Sequence, residues 1–217
     1  MVETENREGV GDIIKILKRK YLNVRIALKF SNPLEILIST ILSAQCTDER
    51  VNKVTADLFK KYRKASDYAN ANLKEFEKEI KSTGFYRNKA KNIIKACNII
   101  VKDFNSEIPR TMEELIKLPG VARKTANVVL YSAYGINGGI AVDTHVRRLS
   151  QRLKLTRNDN PEKIERDLMD IVPKKDWGRF SLLLIQHGRE ICQAKKPLCR
   201  ECVLNKICPS FKIFIKS

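Results

Sequence analysis

The segment LPGVARKTANVVL, residues 118–130, carries the clearest structural signal in the sequence. Its Pro-Gly pair ends one helical pattern, and Arg123 and Lys124 stand where the next pattern starts. Residues 113–133 therefore predict a helix, a tight turn and a second helix. A helix that begins at such a turn directs unpaired N–H groups and the positive end of its dipole outward, and this arrangement binds phosphate oxygens.

A Pro-Gly turn by itself would indicate only a connector between two packed helices. Here it is followed by RKTA at residues 123–126, and the chain carries 42 Lys and Arg against 25 Asp and Glu. The resulting net charge of +17 over 217 residues favours a polyanionic partner. Together these features predict a hairpin that binds a nucleic-acid backbone.

Hydropathy argues against a membrane protein. The first ten residues, MVETENREGV, are polar and lack the pattern of a signal peptide. The longest apolar stretch, residues 34–42, is interrupted by Glu35, Ser39 and Thr40 and is far too short to span a bilayer. We therefore expect a soluble protein of the cytoplasm.

The hydrophobic pattern is helical along the whole chain. The apolar residues of one segment fall on a single helix face at spacings of three and four: Val51, Val54, Leu58, Phe59 and Tyr62. Roughly ten short helices result and no strand is needed, so the predicted fold class is all-α. Capping residues and helix breakers predict the helix boundaries: Asn32-Pro33, Thr47, Gly84, Thr111, Asp143 or Thr144, and Asn160-Pro161.

Four of the six cysteines crowd into one C-terminal segment with the spacing C-x6-C-x2-C-x5-C: Cys192, Cys199, Cys202 and Cys208. In a reducing cytosol this crowding indicates a metal site. Zinc and iron-sulfur clusters both accept four thiolates, but structural zinc sites usually join two short knuckles across a longer insert. Only one short knuckle is present, which favours iron-sulfur. The other two cysteines, Cys46 and Cys97, predict small buried side chains without chemistry.

The hairpin sequence and the segment AVDTHVRR at residues 141–148 resemble the endonuclease III family of DNA repair enzymes. The resemblance covers nearly the whole chain, from residue 10 to residue 210. It implies a bifunctional DNA glycosylase and abasic-site lyase, in which Lys124 attacks the sugar C1′, displaces the damaged base and forms a Schiff base. It further implies that Asp143 assists this step and that the four clustered cysteines hold a [4Fe-4S] cluster.

The residue types fit this chemistry. A lysine must lose a proton to become a nucleophile, and a helix N-terminus, the neighbouring Arg123 and partial burial would each disfavour the ammonium form of Lys124. Departure of the base builds oxocarbenium-like charge on the sugar, which the carboxylate of Asp143 can stabilise. Taken alone, Lys124 could be one more solvated cation and Asp143 a plain helix N-cap, and Asp143 could serve as both cap and catalyst.

The hairpin is expected to contact DNA through Gly120, Ala122 and Arg123. Ala122 departs from the family, whose turn commonly has a second glycine at this position. If the position required a positive φ, alanine would strain the turn and weaken phosphate binding. Our hypothesis is that it does not, so that alanine supplies its backbone N–H as glycine would.

A glycosylase must turn its target nucleotide out of the stack, and a side chain has to fill the gap. The resemblance implies two such wedges, Gln45 in LSAQCTD and Phe85 in GFYRNKA. The alternatives are a simple helix end at Gln45 and a core-facing Phe85. The wedge interpretation is the one we adopt.

Further backbone contacts are expected from basic residues near these motifs. Arg87, Lys89 and Lys91 follow the second wedge, and Lys195 and Lys196 lie in the QAKKPL loop between the first two clustered cysteines. Solvated charges on a helix or loop would give the same sequence pattern.

Family members fold as two all-helical lobes, and the resemblance implies the same here. One lobe is expected at residues 24–133, a six-helix barrel that ends with the hairpin. The other combines residues 1–23 with residues 134–217 and carries the iron-sulfur loop. DNA would lie in the cleft between the lobes, where Lys124 and Asp143 would face each other.

The implied substrates are oxidised or ring-saturated pyrimidines in duplex DNA, together with abasic sites, which associates the protein with the nucleoid. No feature demands an oligomer, so we expect a monomer. Three alternatives remain. The first is a mismatch-specific glycosylase of the same fold, a class that typically lacks a lysine at the position of Lys124. The second is a non-catalytic iron-sulfur protein that binds DNA or senses redox state, which would leave Lys124 and Asp143 unexplained. The third is a zinc-stabilised DNA-binding module, which would be colourless.

Overall fold

The structure, a computed structural model, describes residues 2–215, with side chains from Gly9 onward. Within this range the secondary structure is helical and no strand occurs, so the predicted all-α fold class is confirmed. The described residues form twelve α-helices, which exceeds the roughly ten predicted. The difference arises because three of these helices have only four or five residues.

The chain divides into two compact units. The hairpin unit comprises residues Ile26–Ile136, and the cysteine unit comprises both ends of the chain, through Arg25 and from Asn137 onward. The hairpin unit thus starts at residue 26 and ends at residue 136, where the resemblance implied residues 24 and 133.

The hairpin unit contains seven α-helices, one more than the six implied by the resemblance. In chain order they are α2 (Pro33–Leu42), α3 (Asp48–Lys61), α4 (Ala65–Ala69), α5 (Leu73–Glu79), α6 (Tyr86–Asp103), α7 (Met112–Leu115) and α8 (Arg123–Tyr134). A single 3-10 turn, Lys81–Thr83, precedes α6.

Helix α2 forms the centre of the hairpin unit. The Asn32 side chain accepts a hydrogen bond from the Glu35 N–H at 3.0 Å and Pro33 occupies the first turn, which confirms the predicted helix start. From Ile36 to Leu42 every residue is buried, as expected for a helix that is apolar on all sides. Helix α2 packs against α8, the second arm of the hairpin. The core of the hairpin unit therefore positions both α8 and the segment that follows α2.

The apolar face predicted for α3 is confirmed. Val51, Leu58 and Tyr62 are buried in the core of the hairpin unit, and Val54 and Phe59 pack against it. Thr47 caps the helix by accepting a hydrogen bond from the Arg50 N–H, as its position before Asp48 predicts.

The cysteine unit contains five α-helices within the described residues: α1 (Val2–Lys20), α9 (Thr144–Arg152), α10 (Pro161–Ile171), α11 (Trp177–Glu190) and α12 (Phe211–Phe214). Its core is built on α11, whose Phe180, Leu183 and Leu184 are fully buried and belong to one cluster with residues of α1, α9 and α10. Asn160 caps α10 in front of Pro161, which confirms that predicted boundary.

Across residues 2–215, no helix has both the length and the apolar character needed to cross a membrane.

Candidate functional site

The hairpin turn depends on one glycine. Thr111 caps α7, and the chain then turns through residues 116–122 into α8. Gly120 has φ +81°, and a Cβ added there would lie 3.1 Å from the Cβ of Asn92 on α6. Only glycine meets both the positive φ and this close approach without displacing its neighbour.

Ala122 does not need to be glycine. Its φ of −92° and ψ of 171° are extended backbone that any residue adopts, so the hypothesis made for this position is confirmed. Ala122 is the N-cap of α8 and has no side-chain acceptor for the first N–H groups of that helix. The start of α8 is therefore not capped by its own N-cap side chain, which suits a phosphate in that role.

Lys124 is the second residue of α8 and is exposed. The expectation that partial burial disfavours its ammonium form is therefore wrong, since the helix start presents this side chain to solvent. The positive end of the α8 dipole and the half-buried Arg123 lie beside it.

Asp143 is the N-cap of α9. Its Oδ1 accepts a hydrogen bond from the Val146 N–H at 2.8 Å, so the capping role predicted for Asp143 or Thr144 belongs to Asp143. Among the described residues no donor is assigned to the second carboxylate oxygen, Oδ2, and the side chain is half-buried rather than enclosed. A carboxylate held by one oxygen and open at the other fits the dual role considered for it.

The histidine next to this cap is structural. The Nδ1 of His145 lies 3.1 Å from Nη2 of Arg148, and burial lowers the pKa of His145. The same guanidinium donates to the carbonyl oxygens of Gly188 and Cys192 and so links α9 to α11 and to the cysteine segment.

The two predicted wedges share an unusual backbone. Gln45 has φ 54° and Phe85 has φ 46°, both in the left-handed region that residues other than glycine rarely adopt. Both residues are exposed, and Phe85 is 64% exposed although it is a large apolar residue. The alternative of a core-facing Phe85 is therefore wrong. Strained, exposed residues of this kind concentrate at functional sites.

Lys89 lies inside the protein, not on the surface. It is 5% exposed, and its Nζ donates hydrogen bonds to the carbonyl oxygens of Leu42 at 2.7 Å and Thr83 at 2.8 Å. The expected contact with a DNA backbone is wrong for this residue. The sequence contained a signal that was missed, since Lys89 falls in phase with Ile93 and Ile100 on the buried face of α6.

The other basic residues that we expected to contact DNA lie on the surface. Arg87 and Lys91 are exposed on α6, and Lys195 and Lys196 are exposed in the cysteine segment. Their contacts with DNA stay predictions.

The four clustered cysteines line one cavity of the cysteine unit, together with Arg152, His187 and Phe211. Among the described residues, no three His, Cys, Asp or Glu side chains form a group that is ready to hold a single metal ion. Four cysteines that line one cavity are the ligand set that a [4Fe-4S] cluster would require.

The surroundings of these sulfurs suit bound thiolates. Arg152 Nη1 donates to Cys192 Sγ at 3.3 Å, His187 Nε2 lies 3.3 Å from Cys202 Sγ, and the Leu204 N–H donates to the same sulfur at 3.4 Å. Burial raises the pKa of Cys202 to about 11, so a positive centre would be needed to hold its thiolate. Burial also raises the pKa values of Cys199 and Cys208.

Arg152 also ties down the loop between the first two cysteines. Its guanidinium donates to the carbonyl oxygens of Gln193 and Ala194, each at 2.8 Å. These carbonyls immediately precede Lys195 and Lys196, so the backbone of the two exposed lysines is fixed from α9. Nothing in the sequence pattern indicates this role for Arg152.

Cys97 is fully buried on α6, which confirms its prediction, while Cys46 is half-buried beside Gln45.

Comparison with known proteins agrees with this description. Residues 38–174 match the HhH-GPD superfamily of base excision DNA repair proteins. The chain is 56% identical to endonuclease III of Synechocystis sp. (strain ATCC 27184 / PCC 6803 / Kazusa) over 204 residues, which cover 94% of this chain and 93% of the relative.

Two solved structures are also similar over almost their whole length. One is a non-covalent endonuclease III–DNA complex, with a TM-score of 0.91 and 43% identity over 97% of this chain and 99% of that one. The other is a trapped endonuclease III–DNA covalent intermediate, an estranged-adenine complex, with a TM-score of 0.91 and 43% identity over 96% of this chain and 98% of that one.

Proposed function

Because the chain belongs to the endonuclease III family of the HhH-GPD superfamily of base excision DNA repair proteins, we propose that Lys124 and Asp143 form its catalytic pair. Family membership carries the general activity, a DNA glycosylase with abasic-site lyase activity that binds duplex DNA. The assignment to residues is supported most by Lys124, an exposed lysine at a helix start that lacks a side-chain cap.

The reaction follows from these groups. The neutral amine of Lys124 attacks C1′ while the glycosidic bond breaks, and the base leaves with the bonding electrons and takes up a proton. Asp143 stabilises the positive charge that develops on the sugar, using the oxygen that does not cap α9. The sugar ring then opens to a protonated Schiff base with Lys124.

Strand cleavage uses the same covalent link. The Schiff base makes the C2′ hydrogen more acidic. Removal of this proton expels the 3′ phosphate by β-elimination. Water then hydrolyses the Schiff base and releases the product aldehyde from Lys124. A covalent endonuclease III–DNA intermediate has been trapped for a relative that is 43% identical, which supports a covalent route here. Lys124 and Asp143 belong to different units of the chain, and their approach on DNA is part of this proposal.

The proposed substrates are oxidised or ring-saturated pyrimidines in duplex DNA and abasic sites, bound by a monomer at the nucleoid. The hairpin holds the DNA backbone through N–H groups near Gly120, Ala122 and Arg123. Gln45 and Phe85 enter the stack from which the damaged nucleotide has left. Arg87, Lys195 and Lys196 contact phosphates of the DNA backbone.

Four cysteines, Cys192, Cys199, Cys202 and Cys208, are proposed to hold a [4Fe-4S] cluster. When bound, the cluster supplies iron–thiolate bonds that fix the C-terminal segment. A visible absorbance band with four irons per chain tests this assignment. A colourless protein that contains one zinc would instead support the zinc-stabilised module.

The catalytic assignment is tested by product analysis on a duplex with one ring-saturated pyrimidine. Asp143→Asn keeps the capping oxygen but removes the charge, so we expect a loss of roughly 10²- to 10⁴-fold in excision with unchanged helix content. Lys124→Gln should abolish β-elimination, while the exposed Lys95→Gln on α6 serves as the control. If Lys124→Gln still cleaves the strand, the lysine has been assigned wrongly.

A further inference from the structure

We propose that Lys89 is a positioning residue that ties the two wedges together, so that Gln45 and Phe85 enter the DNA stack as one unit. The inference rests on the proposed wedge roles and adds to them a residue that never touches DNA. It follows from where the buried ammonium group lies and what it binds.

The contacts of Lys89 reach both wedge segments. Its Nζ donates to the carbonyl of Leu42, the last residue of α2, three positions before Gln45. It also donates to the carbonyl of Thr83, the last residue of the 3-10 turn, two positions before Phe85. One side chain therefore joins two segments that are 47 and 6 residues away from it in sequence.

The carbonyl oxygens of Leu42 and Thr83 depend on Lys89 Nζ as their hydrogen-bond donor. A helix end leaves its last carbonyl oxygens without backbone partners, and no backbone N–H of the described residues bonds the oxygen of Leu42 or of Thr83. A cation is the favoured partner at a helix C-terminus. Burial lowers the pKa of Lys89, and a neutral amine would still donate both hydrogen bonds.

The geometry of the wedges explains why such a tie is useful. Gln45 and Phe85 hold positive φ angles that their side chains disfavour, and Phe85 caps α6 without any side-chain hydrogen bond. Such conformations persist only where the surrounding structure determines them. The main-chain N–H of Lys89 also donates to the Phe85 carbonyl at 3.1 Å, so Lys89 binds the second segment at two points.

The tie has a consequence for the reaction. Unstacking a nucleotide costs free energy, and side chains that fill the gap offset part of that cost. Two side chains held at a fixed separation fill the gap with less loss of conformational freedom on binding. Removal of the ammonium group should therefore weaken the step that opens the duplex, while chemistry on a nucleotide that is already unstacked should continue.

The test uses the cluster-loaded full chain with Lys89→Met, which keeps the length of the side chain but removes its donors. Lys95→Met, an exposed lysine of the same helix, is the matched control. We expect excision from a lesion-bearing duplex to fall on the order of tenfold or more, because misplaced groups commonly cost such factors. Cleavage of a single-stranded abasic site should stay within about twofold of wild type.

A direct readout of the wedge separates positioning from general stability. With 2-aminopurine opposite the lesion, wild type and Lys95→Met should raise the fluorescence of the unstacked base and Lys89→Met should not. Equal losses on duplex and single-stranded substrates, or a fluorescence rise with Lys89→Met that equals the rise with wild type, would overturn the inference. Gln45→Ala and Phe85→Ala are measured in parallel. If they show no defect the wedge proposal itself fails, whereas a defect in them without one in Lys89→Met rejects only the role of Lys89.

Wild-type hydrogen exchange covers the case in which Lys89→Met does not fold. The Cys46 and Gly84 N–H groups are hydrogen-bonded within the two wedge segments, to Ser43 and Lys81 respectively. If one residue ties the segments together, both amides should open with the same free energy and the same denaturant dependence. Independent opening of the two segments would contradict the tie.

Discussion

At the scale of single residues, the hairpin turn separates two positions that look alike in sequence. Gly120 has a positive φ and Asn92 packed against it, whereas Ala122 is extended and exposed. A glycine is therefore required at position 120 but not at position 122.

This contrast gives a paired prediction. Gly120→Ala should lower the free energy of unfolding by about 1–3 kcal/mol and weaken DNA binding, because alanine disfavours that φ and its Cβ would crowd Asn92. Ala122→Gly should leave DNA affinity nearly unchanged. Urea unfolding and titration with an abasic-site duplex check both. A large gain in affinity for Ala122→Gly would show that the natural alanine strains the turn.

Cys97 provides a prediction on pH. Burial raises the pKa of its thiol from 9.0 to about 12, so the folded state keeps a proton that the unfolded chain loses. Stability is then lost as pH rises between these two values, by about 1.4 kcal/mol per pH unit. Relative to Cys97→Ala, the wild type should lose about that amount between about pH 8 and about pH 10 in urea unfolding. Parallel pH profiles for the two proteins would contradict a buried, protonated thiol.

Single residues also show where sequence reasoning succeeds and where it fails. Helix caps were predictable because a capping side chain accepts a hydrogen bond from a backbone N–H only two or three positions away, a purely local interaction. The caps confirmed in this way are Thr47, Thr111, Asp143 and Asn160. Lys89 was misassigned because its partners, Leu42 and Thr83, are brought to it by tertiary packing.

At the scale of elements, the wedge segments follow α2 and precede α6, and both depart from local preference. Phe85 is a poor N-cap in a disfavoured conformation, and Gln45 adopts positive φ between two helices. Local rules predict helix ends at these places and cannot predict the strained, exposed side chains. Only the family resemblance pointed to them, since function and not stability accounts for such residues.

The wedge role makes a prediction for the α2–α3 connection. Gln45→Ala should slow excision from a duplex more than from a single strand, because only a duplex leaves a gap that has to be filled. Single-turnover excision on the two substrates measures this, with the single strand as an internal control. Equal slowing on both substrates would count against a wedge at Gln45.

The cysteine segment illustrates a different limit of sequence reasoning. Its spacing predicted four ligands for one group, and the structure places all four around one cavity. The guanidinium of Arg152 contacts both a ligand sulfur and the loop that carries Lys195 and Lys196. A single arginine on α9 thus connects the clustered cysteines with the loop that carries two candidate phosphate contacts, which no spacing within the segment could reveal.

At the scale of the whole molecule, the net charge of +17 and the all-helical fold were predictable, because charge is a sum and helical periodicity is repeated in every segment. The division into two units was implied by the resemblance alone, and the observed bounds fall at Ile26 and Ile136. The amino-acid composition does not indicate that α1 belongs to the same unit as the C-terminal part of the chain.

Borohydride reduces a Schiff base to a stable amine, so it can trap the proposed covalent bond between Lys124 and DNA. Cluster-loaded protein is incubated with a duplex that contains one abasic site, borohydride is added, and the covalent protein–DNA adduct is measured for wild type and Lys124→Ala. We predict an adduct with wild type and none with Lys124→Ala. An adduct that persists with Lys124→Ala would assign the Schiff base to a different amine. No adduct with intact wild type would instead favour a monofunctional glycosylase or a non-catalytic DNA-binding protein.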